Sequence, residues 1–234
     1  MFCSNCGVDV VPDLQFCPSC GQPQPVANGP VPPPIPLQTP VIYSPPPEIR
    51  VETSRWLGAG WQIVQQNIGT YMLMALLFGA LAACVPVVLH GPLMVGFHIA
   101  FMRKIVRGTM EVGDLFKGFN FFVPSLVASL LISIFTTIGF VFCIIPGIVV
   151  SAMFMFTYLF ILDKRMDFWP AMQASHEIVK RNYVGFSLFI VATMLLNFVG
   201  ILCLLVGILI TIPITFAAIT VAYREIVGFE PNTV

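Results

Sequence analysis

The sequence predicts an all-α membrane protein, a bundle of six spanning helices in three hairpins, preceded by a small metal-binding module on a proline-rich tether. Three observations carry this prediction. Apolar residues make up 57% of the 234 positions and charged ones only 9%, against roughly a quarter charged in soluble domains. The uncharged residues fall into three stretches, 56–102, 118–162 and 182–223, of 47, 45 and 42 residues. A bilayer core about 30 Å thick takes about 20 apolar residues per helical crossing, so each stretch fits two helices and a turn. Finally, four of the seven cysteines crowd into the first twenty residues, and the other three lie in apolar segments, unlike a secreted disulfide scaffold.

Cys3, Cys6, Cys17 and Cys20 form a C-x2-C-x10-C-x2-C pattern, with each pair in the same frame: Phe2-Cys3-Ser4-Asn5-Cys6-Gly7 and Phe16-Cys17-Pro18-Ser19-Cys20-Gly21. Two residues between thiolates let both sulfurs of a tight turn point at one ion, and the following glycine lets the backbone fold close beneath it. Two such knuckles complete a tetrahedral site. Residues 2–22 resemble the double-knuckle zinc ribbons of bacterial and archaeal proteins; one structural Zn2+ is expected, the short spacing favouring it over the iron of rubredoxin-type knuckles. A segment this short buries no core, so the metal supplies the folding free energy, on the order of 10–16 kcal/mol apparent in comparable peptides. A closed four-thiolate site has no open position for catalysis. A pair of redox-active CxxC motifs is the other reading, but the βαβ context it needs is missing. Residues 1–49 hold no Lys or Arg, only Asp9, Asp13 and Glu48. Nucleic-acid affinity rests on cations meeting phosphates, so no nucleic-acid partner is expected and protein docking is the better role. The opening MFCSNCG has neither a basic nor an apolar region, so no signal peptide is expected.

Residues 23–52 form the tether. Eleven of the chain's 20 prolines fall within 23–47, and proline, lacking an N–H and fixed in φ, keeps the chain extended or disordered. A spacer is expected here rather than a PxxP ligand.

The membrane domain covers residues 53–229, with spans expected at about 69–84, 86–103, 123–143, 146–163, 184–203 and 206–224. Lys104, Lys164 and Arg224 stand 60 residues apart, Pro86 and Pro146 share that offset, and Cys84, Cys143 and Cys203 nearly do. This predicts a triplicated hairpin. With six spans, all eleven Lys and Arg fall on one side, the cytoplasmic one by the positive-inside rule. The thiols of the cysteine module stay reduced on that side. Both termini are therefore expected in the cytoplasm. Trp56, Trp61 and Trp169 precede odd-numbered spans, as an interfacial aromatic belt would.

Amphipathic connections complete the domain. Asp167 is the expected N-cap of a helix with Pro170 in its first turn, carrying Trp169, Met172, His176 and Val179 on one face and Glu177, Lys180 and Arg181 on the other. That helix should lie along the headgroups. Asp114 to Phe119 opens a similar element. Pro92 and Pro213 lie deeper in even-numbered spans as candidate kinks, and Ile145-Pro146-Gly147 reads as the outward-facing turn of the middle hairpin.

Gly91-Pro92-Leu93, Gly113 to Phe119, Ile145-Pro146-Gly147-Ile148, Ala174-Ser175 and Ala222-Tyr223-Arg224 carry a resemblance to uncharacterised bacterial integral membrane proteins related to the membrane domain of glycerophosphoryl diester phosphodiesterases. The resemblance covers about residues 53–229 and implies a fold and a bacterial inner-membrane location. It implies no reaction, because no soluble phosphodiesterase domain is fused to it.

Away from their end residues the spans contain no Asp, Glu, Lys or Arg, the residues that ion-coupled transport keeps in a membrane despite their cost. The candidate intramembrane polar site reduces to His98 and Asn197, with His90 nearer an end. His98 is expected neutral and hydrogen-bonded to a neighbouring helix, Asn197 to act as interhelical glue, and Cys84, Cys143 and Cys203 to serve as small apolar residues. No Ser-His-Asp set, paired carboxylates or phosphate loop is visible, so an enzyme is not expected. The leading expectation is a non-enzymatic membrane scaffold or regulatory protein docking an unidentified cytoplasmic or membrane protein through its ribbon. A transporter or lipid-handling protein with a pathway between the hairpins is the alternative.

Overall fold

Away from water, a backbone must close its hydrogen bonds internally, so long apolar stretches become helices. The computed structural model describes residues 48–203 and 206–230, together with Cys6 and Val8. The chain separates into two units, Met1–Val41 and Ile42–Val234, and the helices belong to the second. Among the described residues every regular element is helical. These are α1 (Thr53–Gln65), α2 (Ile68–Cys84), α3 (Pro86–Arg107), α4 (Asp114–Lys117) with a 3-10 turn at Gly118–Phe121, α5 (Phe122–Phe142), α6 (Ile144–Met153), α7 (Thr157–Asp163), α8 (Phe168–Val179), α9 (Tyr183–Leu202) and α10 (Ile208–Ile226).

Four helical stretches are long and apolar enough to cross a membrane: Asp114–Phe142, Ile144–Asp163, Tyr183–Leu202 and Ile208–Ile226. The α1 and α2 pair, bent by 101°, would make a fifth. Helix also covers the stretch expected for a second span, as α3, but two histidines and a basic end make α3 the least apolar of the long helices. It compensates by burial, with Leu93, Val95 and every residue from Phe97 to Met102 inside the bundle.

The middle turn is tighter than expected. Val85 alone joins α2 to α3, and Cys143 alone joins α5 to α6. Pro86 takes the first position of its helix, where the missing N–H costs nothing. Ile145, Pro146 and Gly147 therefore stand within the first turns of α6, and the turn itself falls at the extended Cys143. The span expected at 146–163 also breaks, between Met153 and Thr157, into α6 and α7.

The second helix of each hairpin lies inside the bundle and the first lies outside. Buried residues make up 50% of the apolar stretch of α6–α7 and 56% of that of α10, against 22% for α5 and 28% for α9. Glycine lets the inner α3 approach its neighbours. A Cβ at Gly96 would fall on the Leu115 carbonyl, and one at Gly118 on the Pro92 carbonyl, so α3 and the α4 segment meet backbone to backbone. Aromatic rings then tie α2, α3 and α10 together: Tyr71 stacks on Phe101 with centroids 4.9 Å apart, and Phe97 on Phe216 at 4.8 Å.

Helix α1 crosses α10 instead of leading straight into α2. Its Gly60 has room for no side chain, because a Cβ there would stand 2.8 Å from the Ile214 carbonyl oxygen. Trp56 consequently leaves the aromatic belt predicted for it: it is 1% exposed, its Nε1 donates to Glu225 Oε2 at 2.8 Å, and its ring meets the edge of Phe189 at 5.3 Å. Trp61 and Trp169 stay exposed.

Helix α8 starts as predicted, with the Asp167 carboxylate accepting from the Phe168 N–H at 2.9 Å. Its inward face differs from expectation. Ala171, Met172, Ala174, Ser175, Ile178 and Val179 are buried, whereas Trp169 is 51% exposed. The small residues bring Ser175 against the α6–α7 break, where its Oγ donates to the Met153 carbonyl at 2.7 Å and accepts from the Phe156 N–H at 3.2 Å. One hydroxyl thus satisfies a carbonyl and an N–H at the break, groups that the interrupted helix leaves without their usual partners.

Candidate functional site

The ends of α3, α7 and α10 and the starts of α1, α5 and α9 share one end of the bundle, and there the described charges gather. Asp114, fully buried, pairs with Arg103 and with Lys117 Nζ at 2.7 Å, and accepts from the Glu111 N–H at 3.0 Å. Asp163 is buried as well; it accepts from the Tyr223 hydroxyl and the Glu230 N–H, both at 3.0 Å. Arg55 bridges Glu52 at 2.9 Å and Glu225 at 3.0 Å. Residues 48–52 are fixed at the same end, where Asn182 Nδ2 donates to the Ile49 carbonyl at 3.2 Å and Asn182 Oδ1 caps α9 through the Gly185 N–H at 2.9 Å.

Farther from the charges, α3, α5, α6–α7, α9 and α10 line a half-open cavity of about 350 Å³. It brings His98 and Asn197, predicted as candidate polar residues, to one space otherwise lined mainly by apolar side chains such as Met155, Tyr158 and Phe216. His98 is buried, and its Nδ1 lies 2.9 Å from Thr220 Oγ1 on α10. The Thr220 hydroxyl donates its proton to the Phe216 carbonyl at 2.8 Å, so it can only accept from His98. That assigns the proton to Nδ1 and leaves Nε2 as a lone-pair acceptor. Asn197 Nδ2 donates to the Thr193 carbonyl at 2.9 Å and to Thr215 Oγ1 at 3.0 Å, linking α9 to α10. Asn197 Oδ1 and Thr136 Oγ1 are buried without a hydrogen-bond partner among the described residues. The cavity is therefore uncharged and rich in acceptors, suited to an apolar molecule that carries a hydroxyl or amide donor.

Of the cysteines predicted to hold zinc, Cys3, Cys17 and Cys20 lie outside the described residues, and Cys6 stands exposed in a turn. Among the described residues, no group of three or more His, Cys, Asp or Glu side chains is placed to hold a metal. Cys143 and Cys203 are exposed at the hairpin turns. Three buried polar features lay beyond the sequence reading: Asp114, Asp163 and the hydroxyl of Ser175. Each has partners on other helices, so composition and spacing carried no sign of them; an acidic residue beside an apolar stretch, as at 114 and 163, was the available signal.

No protein-family model matches the chain, and no solved structure matches it. Uncharacterised proteins of Mycobacterium bovis and Mycobacterium tuberculosis are 34% identical over 103 residues, which is 44% of this chain and 32% of each relative. The chain thus spans about a third of the length of the curated relatives it matches.

Proposed function

We propose that the protein is a non-enzymatic, six-span scaffold or regulatory protein of the bacterial inner membrane, with both termini in the cytoplasm, whose N-terminal zinc ribbon docks a protein partner. One observation supports this above the rest: residues 48–52, where the proline-rich tether meets the bundle, are pinned at the end that carries the basic side chains. On the positive-inside rule that end is cytoplasmic, so the tether would release the cysteine module into the compartment that keeps thiols reduced. The likeness to the membrane domain of glycerophosphoryl diester phosphodiesterases is a proposal about fold alone; Gly118 and Ser175, among the residues that carry it, serve helix packing here. Cross-linking in cells that express the full chain or a version without residues 1–22 tests the docking role. The reading expects at least one partner to vanish with the ribbon, and an unchanged partner set would sink it.

The cavity beside His98 and Asn197 favours a second reading, a lipid-handling or transport protein that holds an uncharged amphipathic molecule between its hairpins. A photoactivatable long-chain alcohol should label wild type and spare Ile132→Trp, which fills the cavity. Equal labelling of both would refute a cavity ligand.

A further inference from the structure

A second pocket, of about 210 Å³, opens at the charged end, between the end of α3, the α4 segment and the residue that follows Lys164. Four cationic side chains line it, Arg103, Arg107, Lys117 and Arg165, with Asn120 and Phe121 between them, and no carboxylate is among the lining residues. The cations come from three separate stretches of chain, so their convergence is a product of the fold.

The pocket is built on both sides. On one, buried Asp114 holds Arg103 and Lys117 at once, through Arg103 Nη1 and through Lys117 Nζ at 2.7 Å, which fixes the direction of both without filling the space. On the other, the guanidinium of Arg165 lies over the Phe121 ring, 5.6 Å from its centroid. Arg165 is also the one described residue other than glycine with a positive φ, 49°, a left-handed conformation that a residue with a Cβ keeps only when its surroundings hold it. A guanidinium is thus posed at the pocket's mouth by a backbone that resists posing it.

We propose that this pocket binds the phosphodiester headgroup of an anionic phospholipid. The chemistry matches: guanidinium forks pair with phosphate oxygens in bidentate fashion, Lys117 adds a point charge, and the Asn120 amide can donate to a headgroup hydroxyl. The place matches as well, because basic pockets between membrane helices at the polar boundary hold such headgroups while the acyl chains stay against the apolar helix surfaces. Ile99, Phe121 and Leu162 among the lining residues add apolar surface that the start of an acyl chain can cover.

The test uses the full chain in nanodiscs of mixed phosphatidylglycerol and phosphatidylcholine, with retained lipid read by native mass spectrometry after detergent release. Wild type should keep phosphatidylglycerol selectively. The double variant Arg107→Gln/Arg165→Gly should bind it roughly 25-fold more weakly, about fivefold for each cation lost from the site. Both positions are exposed, and glycine accepts the left-handed backbone at 165, so this variant keeps the fold. Arg181→Gln, exposed but outside the pocket, should leave retention unchanged. Phosphatidylglycerol held by the double variant as by wild type would overturn the site, and so would an equal loss in Arg181→Gln, which would mean general surface attraction. Inorganic phosphate that displaces the lipid at equal concentration would overturn the lipid headgroup in favour of a free anion.

Discussion

At the scale of single residues, polar groups placed by the fold decide more than the apolar majority. Ser175 satisfies a carbonyl and an N–H at the α6–α7 break. Ser175→Ala should therefore cost about 1–3 kcal/mol, the penalty for stranding buried backbone groups, as measured by thermal or denaturant unfolding in detergent. A loss within error of zero would show that the break finds other partners. Trp56 makes the parallel case, its indole N–H held by Glu225 from 169 positions away. Trp56→Phe keeps most of the ring packing and drops that bond, so a loss of about 1 kcal/mol is expected, with Glu225→Gln no worse. None of this was legible in the sequence. A tryptophan ahead of an apolar stretch reads as an interface anchor until the distant carboxylate is known to meet it.

At the scale of elements, the sequence located helices well and their faces poorly. Apolar length and proline punctuation marked out α2, α3, α5, α9 and α10 to within a few residues, because both follow from backbone hydrogen bonding. The buried face of α8 was misjudged because Ala171, Ala174 and Ser175, small enough for helices to touch, carry little hydrophobic signal of their own. Glycines divide on the same ground. Gly96→Ala drives a methyl group into the Leu115 carbonyl, so it should lose at least 2 kcal/mol or fail to accumulate as folded protein. Gly79→Ala, in α2 with nothing near its would-be side chain, should instead gain up to about 1 kcal/mol from helix propensity. Melting the two variants side by side in one detergent checks both signs, and equal behaviour would mean that α3 and α4 do not meet as described.

At the scale of the whole molecule, one prediction concerns which way the bundle faces. Alkaline phosphatase fused after Cys143 should be active and the same reporter fused after Gly108 inactive, because those positions mark opposite ends of the helices. The reverse pattern would invert the topology, and activity at neither would remove the middle hairpin from the membrane. Lys104, Lys164 and Arg224, from which a triplicated pattern was read, fall at or near the ends of three helices, α3 running to Arg107, α7 to Asp163 and α10 to Ile226. The pocket of four cations could not be read in the same way. Arg103, Lys117 and Arg165 entered the sequence reading only as markers of sidedness, and their meeting depends on glycine-mediated contact between α3 and α4, a distance that spacing along the chain does not encode.

The single-residue connections at Val85 and Cys143 leave the first two hairpins without loops at their turns. At those two turns a glycan, a protease site or an inserted tag would first have to unwind a helix turn. Anything that recognises those two hairpins at their turns must therefore grip the ends of the helices themselves.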